Sequence, residues 1–111
     1  MNFSVKALES FERHAKKLIR KYPSLKIELF ELIQSLKETP MQGESLGNDC
    51  YKIRLKIASK GKGKSGGGRI ITCVKILRST VFLVTIYDKS EEENISEKEL
   101  IELLKSVPPE S

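Results

Sequence analysis

The chain has 111 residues and a net charge of +5, with 39% hydrophobic and 32% charged residues. This size and balance predict one domain over residues 1–111 with a modest buried core. No apolar run approaches the roughly 20 residues of a membrane span, so a membrane partner is not expected. The opening Met1-Asn2-Phe3-Ser4-Val5-Lys6 lacks a long apolar stretch and a small-residue cleavage site, so it does not read as a secretory signal. Phe3 and Val5 alternate with polar neighbours and predict a short first strand. Leu8, Phe11, Ala15, Leu18 and Tyr22 then recur at helical steps, with Lys and Arg on the other face. Pro23 breaks that helix. Ser24 can cap a second one, whose apolar stripe is Leu25, Leu29, Leu32, Ile33 and Leu36 and which ends at Thr39-Pro40. The short link makes the two helices antiparallel neighbours.

Residues 41–49 hold Gly43, Gly47, Asn48 and Asp49 and read as a loop. Three strands follow, at Cys50 to Ile57, Arg69 to Ile76 and Val81 to Tyr87. The first alternates Tyr51, Ile53, Leu55 and Ile57 with Lys52, Arg54 and Lys56. The other two are rich in β-branched residues, as central strands are. Short connections make all three antiparallel. Ser96-Glu97-Lys98-Glu99 is a capping box that opens a last helix with Leu100, Ile101, Leu103 and Leu104, closed by Pro108-Pro109. The order β-α-α-β-β-β-α predicts an α+β domain: a small, mostly antiparallel sheet, an N-terminal helical hairpin and a C-terminal helix, with the helices on one face. Cys50 and Cys73 lie in strands without a metal-ligand spacing. Buried free thiols and the reducing cytoplasm are expected.

Charge is unevenly distributed. Between Cys50 and Tyr87 stand Lys52, Arg54, Lys56, Lys60, Lys62, Lys64, Arg69, Lys75 and Arg78, with no Asp or Glu. Such a one-sign field points to a polyanion, most simply nucleic acid, although a solvated lysine-rich face would carry the same charge. At a spacing of two, Lys52, Arg54 and Lys56 share one strand face, and cations in such a row repel unless an anion lies across them. Arg69, opening the next strand, and Lys89, following the last, can join the patch. A cation cluster without carboxylates suits direct stabilisation of a pentavalent phosphate more than metal-assisted chemistry, so neither metal nor cofactor is expected. The loop from Lys60 to Gly68 contains a literal G-x-G-x-x-G, but a strand follows it where the dinucleotide fingerprint needs a helix. Its Lys60, Lys62 and Lys64 offer either a phosphate grip or a solvated tip. His14, the single histidine, reads as a surface or half-buried helix residue. Tyr87 reads as sheet-edge packing whose hydroxyl could reach the basic cluster.

Four stretches resemble toxins of the RelE/ParE superfamily: Phe11 to Leu18, Leu46 to Arg54, Gly68-Arg69-Ile70-Ile71, and Ile86 to Glu91. The Gly-Lys-rich insert from Ser59 to Arg69 is similar to the HigB branch. The resemblance runs nearly end to end. It implies the toxin of a type II toxin–antitoxin pair that cuts mRNA on the ribosome without a metal, with a cognate antitoxin protein as partner in a hetero-oligomer. Lys52 and Arg54 fall on the family's paired basic strand positions, Arg69 on its strand-opening arginine, and Lys89 on the basic position after the last strand. With Tyr87 these are the expected catalytic residues; Lys56, Lys60, Lys62 and Lys64 are the expected RNA-binding ones. RelE-type members carry a C-terminal tyrosine as general base. The matching stretch here, Glu93-Asn94-Ile95-Ser96, has none, which leaves Tyr87 or a lysine for the role. The ParE branch inhibits gyrase on the same fold, and an inactive nucleic-acid-binding module is the third expectation.

Overall fold

Alternating and helical periodicities resolve into eight elements: β1 (Ser4–Ala7), α1 (Glu9–Lys21), α2 (Leu25–Glu38), β2 (Glu44–Gly47), β3 (Cys50–Leu55), β4 (Gly68–Lys75), β5 (Thr80–Asp88) and α3 (Glu97–Leu104). The computed structural model describes residues 2–60, 67–92 and 94–109. One mixed sheet runs in the order β1-β5-β4-β3-β2. β1 lies parallel to β5, and every other pairing is antiparallel. The fold is the expected α+β arrangement with one strand more.

The extra strand is β2, inside the segment expected to be a loop. Asn48 and Asp49 both take left-handed backbone, at φ 53° and 63°. Two such residues in succession form the tight turn whose twist suits a hairpin. They fold Glu44–Gly47 back onto β3, with Glu44 opposite Lys52. Glu44, Ser45 and Gly47 are polar or small and only Leu46 of the strand packs on the core, too short a pattern to read as alternation, which is why the turn composition dominated the reading.

The helices do not all share one face. Phe11, Ala15, Leu25, Leu29 and Leu36 of the hairpin pack with Ile53, Ile57, Ile70, Val74 and Leu83. On the other face, Cys50, Ile71, Cys73, Phe82 and Val84 are covered by Ile95, Leu100, Leu103 and Leu104. β5 is buried along its whole length. A strand apolar on both sides needs cover on both, and α3 supplies the second layer. Ser96 Oγ accepts the Glu99 amide at 3.1 Å, so the capping box forms as read. Ser24 does not cap α2 with its side chain, because its backbone is already helical. Its hydroxyl instead donates to Glu28 and meets Ser59 at 2.8 Å, tying α2 to the turn after β3.

The β4–β5 ladder contains a bulge. Ile71 pairs with Thr85 and Thr72 with Leu83, so Val84 has no partner across the ladder. An extra residue shifts the alternation of everything beyond it. Tyr87 therefore lands beside Arg69 on the α3 face, and Asp88 lands opposite Gly68 on the hairpin face. α1 clamps the bulge from two positions one turn apart. Ser10 Oγ donates to the Val84 carbonyl at 2.6 Å, and His14 Nδ1 bonds Thr85 Oγ1 at 2.9 Å.

Candidate functional site

The register of β3 and β4 assembles the basic residues. Arg54 stands directly opposite Arg69, and Lys52 lies two residues along the same face. The Val74 amide bonds the Asp49 carbonyl at 2.9 Å. Counting the alternation from that bond puts Arg54 and Arg69 at a non-hydrogen-bonded site, where facing Cα atoms are about 4.5 Å apart and side chains are closest. Two guanidinium groups in that position repel each other unless an anion sits across them. Arg54 is exposed. Arg69 is only 5% exposed, and its Nη1 donates to the Gly68 carbonyl at 3.0 Å.

These side chains line a cleft of about 450 Å³ with Lys89, Asn94, Gln42, Gly43 and Glu44. Lys52 Nζ donates to Asn94 Oδ1 at 3.2 Å and lies 3.6 Å from Glu44 Oε1. The Lys89 amide bonds the Gly67 carbonyl at 3.1 Å, which returns the chain to the cleft after β5. So Lys52, Arg54, Arg69 and Lys89 come together. Lys56 is exposed just beyond β3. Lys62 and Lys64 lie outside the described residues.

Lys60 is occupied elsewhere. Its ammonium sits 2.6 Å from Asp88 Oδ1, with side chains 3% and 1% exposed. Asp88 also accepts from the Ser90 amide and hydroxyl at 2.9 and 2.7 Å and from Tyr22 at 2.8 Å. Burial alone would raise the Asp88 carboxyl. The bonds from Lys60, Ser90 and Tyr22 outweigh it and hold that carboxyl well below its ordinary range.

Tyr87 lines a different cavity, of about 250 Å³, between α1 and the segment leading to α3. Its hydroxyl is buried, with no hydrogen-bond partner of good geometry among the described residues. Burial is the main cause that pushes the phenol's pKa up; the Ile95 backbone and Arg69 oppose it, and Glu92 and Glu99 add to it. The tyrosine thus stays protonated at neutral pH. His14 lies in the same cavity, its pKa lowered by burial and then by Arg13 and Lys17, against an opposing pull from Glu99. The cysteines are buried thiols, as expected, and face each other between β3 and β4.

The sequence reading did not single out Gln42, Glu44 or Asn94 as site residues. The Asn48-Asp49 turn could have revealed β2 and hence Glu44. Nothing local marks Asn94, which reaches Lys52 from 42 positions away.

A family model for the RelE toxin of the RelE/RelB toxin–antitoxin system matches residues 5–107. Among solved structures, a free E. coli RelE toxin carrying two arginine-to-alanine substitutions is similar at a TM-score of 0.65 and 21% identity, over 97% of this chain and 100% of that one. The intact E. coli RelBE complex matches at a TM-score of 0.47 and 24% identity, over 78% and 95%. The same substituted toxin bound to a RelB peptide matches at 0.49 and 21%, over 97% and 100%. The family match spans nearly the whole sequence, the free toxin shares the fold, and the chain belongs to the RelE toxin family.

Proposed function

We propose that this toxin is an endoribonuclease that cleaves ribosome-bound mRNA without a metal, and that a cognate antitoxin restrains it. The observation that carries this reading is the facing Arg54–Arg69 pair with Lys52 and Lys89 in one cleft. Guanidinium groups grip phosphate oxygens in a planar, bidentate way, and an ammonium acts as a compact charge. In the proposed reaction the ribose 2′-hydroxyl attacks the adjacent phosphorus. The bond to the 5′-oxygen breaks, leaving a 2′,3′-cyclic phosphate and a 5′-hydroxyl. Arg54 and Arg69 hold the non-bridging oxygens as negative charge builds on them. Lys52, fixed by Asn94, delivers a proton to the leaving oxygen. With its phenol held protonated in the neighbouring cavity, Tyr87 serves as a wall beside Arg69. The 2′-hydroxyl proton then goes to a base supplied by the ribosome, because Lys89 as an ammonium has no lone pair to take it. Antitoxin restraint follows from the family's pairing with RelB-type proteins and from the gain such a cationic cleft makes on meeting acidic segments.

The test is primer extension on mRNA from cells expressing the chain alone. We expect translation arrest with discrete cuts in translated messages, and no cuts with Arg54→Ala. Growth arrest with intact mRNA and gyrase-linked DNA damage would overturn the proposal.

A further inference from the structure

Glu44 is the single carboxylate among the described residues lining the basic cleft. It is placed there deliberately by the backbone. β2 sets it directly across from Lys52. Gly43, at φ +97°, lets the chain press against β3 so closely that a Cβ there would lie 2.3 Å from the Lys52 carbonyl oxygen. The carboxylate then reaches to 3.6 Å from Lys52 Nζ, while Asn94 holds the same ammonium at 3.2 Å. The two partners differ in kind. Asn94 is neutral and can stay in place when a phosphate arrives. Glu44 is an anion bidding for the position a phosphate oxygen would take.

We propose that Glu44 is an internal competitor for the RNA phosphate: its carboxylate occupies the Lys52 ammonium in the empty cleft and is displaced by the backbone of bound RNA. The inference rests on reading the cleft as an RNA site. The contact is suited to yielding. Glu44 is 70% exposed, against 20% for Lys52, so water and salt weaken the pair. A bound phosphate, gripped also by Arg54 and Arg69, brings more charge-assisted bonds than the carboxylate loses. Weak polyanions that cannot engage the arginines do not gain enough to displace it. The carboxylate therefore raises the threshold for occupancy and favours ligands that fill the whole cleft.

The experiment is fluorescence anisotropy with a labelled single-stranded RNA made uncleavable by 2′-O-methylation, at low salt. The proteins are the wild type, Glu44→Gln, Glu44→Asp, Lys52→Ala and the Glu44→Gln/Lys52→Ala double variant. Glu44→Gln is expected to bind about two- to fivefold tighter than wild type, as an exposed pair allows, and to lose that gain at high salt. The gain should vanish in the Lys52→Ala background. Glu44→Asp keeps the charge but shortens the reach, so it should behave like Gln. An equal gain with and without Lys52, or an Asp variant identical to wild type, would reduce Glu44 to a rim charge and overturn the proposal. So would wild-type binding that weakens in Lys52→Ala while Glu44→Gln changes nothing. Failure of the cleft reading looks different: wild-type RNA binding that is absent or indifferent to Lys52, which removes this inference with it.

Discussion

Lys60→Met should be the most destabilising single change at the surface-to-core boundary of this fold. The ammonium bonds Asp88 at 2.6 Å and the Gly67 carbonyl at 3.3 Å, and both partners of the ion pair are almost wholly buried. Removing the cation leaves a buried carboxylate supported by three neutral bonds, from the Ser90 amide, the Ser90 hydroxyl and Tyr22. Breaking one side of a buried pair costs about 3–5 kcal/mol. For 111 residues, an unfolding entropy of about 2.1 cal/mol/K per residue converts each kcal/mol into about 4 °C. The expected fall in Tm is thus about 13–21 °C. Thermal unfolding followed by circular dichroism measures that fall, and urea unfolding measures the free-energy loss, with the m-value unchanged. A Lys60→Met/Asp88→Asn variant should recover much of the loss, because no buried charge is then stranded. The pH dependence has a fixed sign. Asp88 titrates below its ordinary 3.8 in the folded state. Its contribution is present above about pH 4 and drains away as the pH falls below that, toward the folded value. Lys60→Met should flatten that part of the acid limb. A cost under 1 kcal/mol, or a double variant as unstable as the summed singles, would refute the view of Lys60 as a structural cation.

Arg54→Ala and Arg69→Ala are each expected to abolish most growth inhibition while leaving thermal unfolding cooperative, measured by colony counts after induction and by calorimetry; fully toxic, folded variants would sink the site assignment. Tyr87→Phe removes a buried hydroxyl with no well-formed hydrogen bond among the described residues, so it should keep mRNA cleavage within about threefold and raise stability by about 1–2 kcal/mol. A loss of cleavage of a hundredfold would return Tyr87 to proton transfer. His14 has a lowered pKa in the folded state, against 6.5 when unperturbed. The unfolded chain therefore binds the proton more readily, and stability should decline as pH drops through and below about 6.5; His14→Gln should remove that slope in urea titrations at pH 5 and 8. Ser10→Ala strands the Val84 carbonyl at the bulge and should cost about 1–3 kcal/mol.

Much of this molecule was legible from local pattern. Period-two alternation from Cys50 to Ile57 and the apolar β4 and β5 segments gave the central strands. The stripe from Leu8 to Tyr22 gave α1, and Ser96 to Glu99 gave the start of α3. The cleft cations were legible for the same reason: spacing two on one strand places Lys52 and Arg54 together, whatever the tertiary fold. What escaped depends on contacts between distant segments. Lys60 looks like its neighbours in the basic run, since a residue type does not reveal that Asp88, 28 positions away, will close over it. β2 was hidden because a short edge strand with a single core-facing residue, Leu46, holds no repeat that could imprint a pattern. The position of α3 on the second face followed from β4 and β5 being apolar on both sides, a clue present in the sequence but readable only once their central placement was known.

The single unpaired residue in β5 has an electrical consequence. Were Val84 paired like its neighbours, strict alternation would carry Asp88 to the same side as Arg54 and Arg69 and send Tyr87 toward the hairpin. The carboxylate that now neutralises Lys60 would instead sit among the cleft cations and cancel part of their field. The bulge acts as a charge sorter: it gives the sheet one side where Asp88 neutralises Lys60, which the fold uses for cohesion, and another where, among the described residues lining the cleft, the cations outnumber the carboxylate of Glu44. Ser10 and His14, which hold the bulge in place from α1, therefore govern the sign of a surface they do not touch.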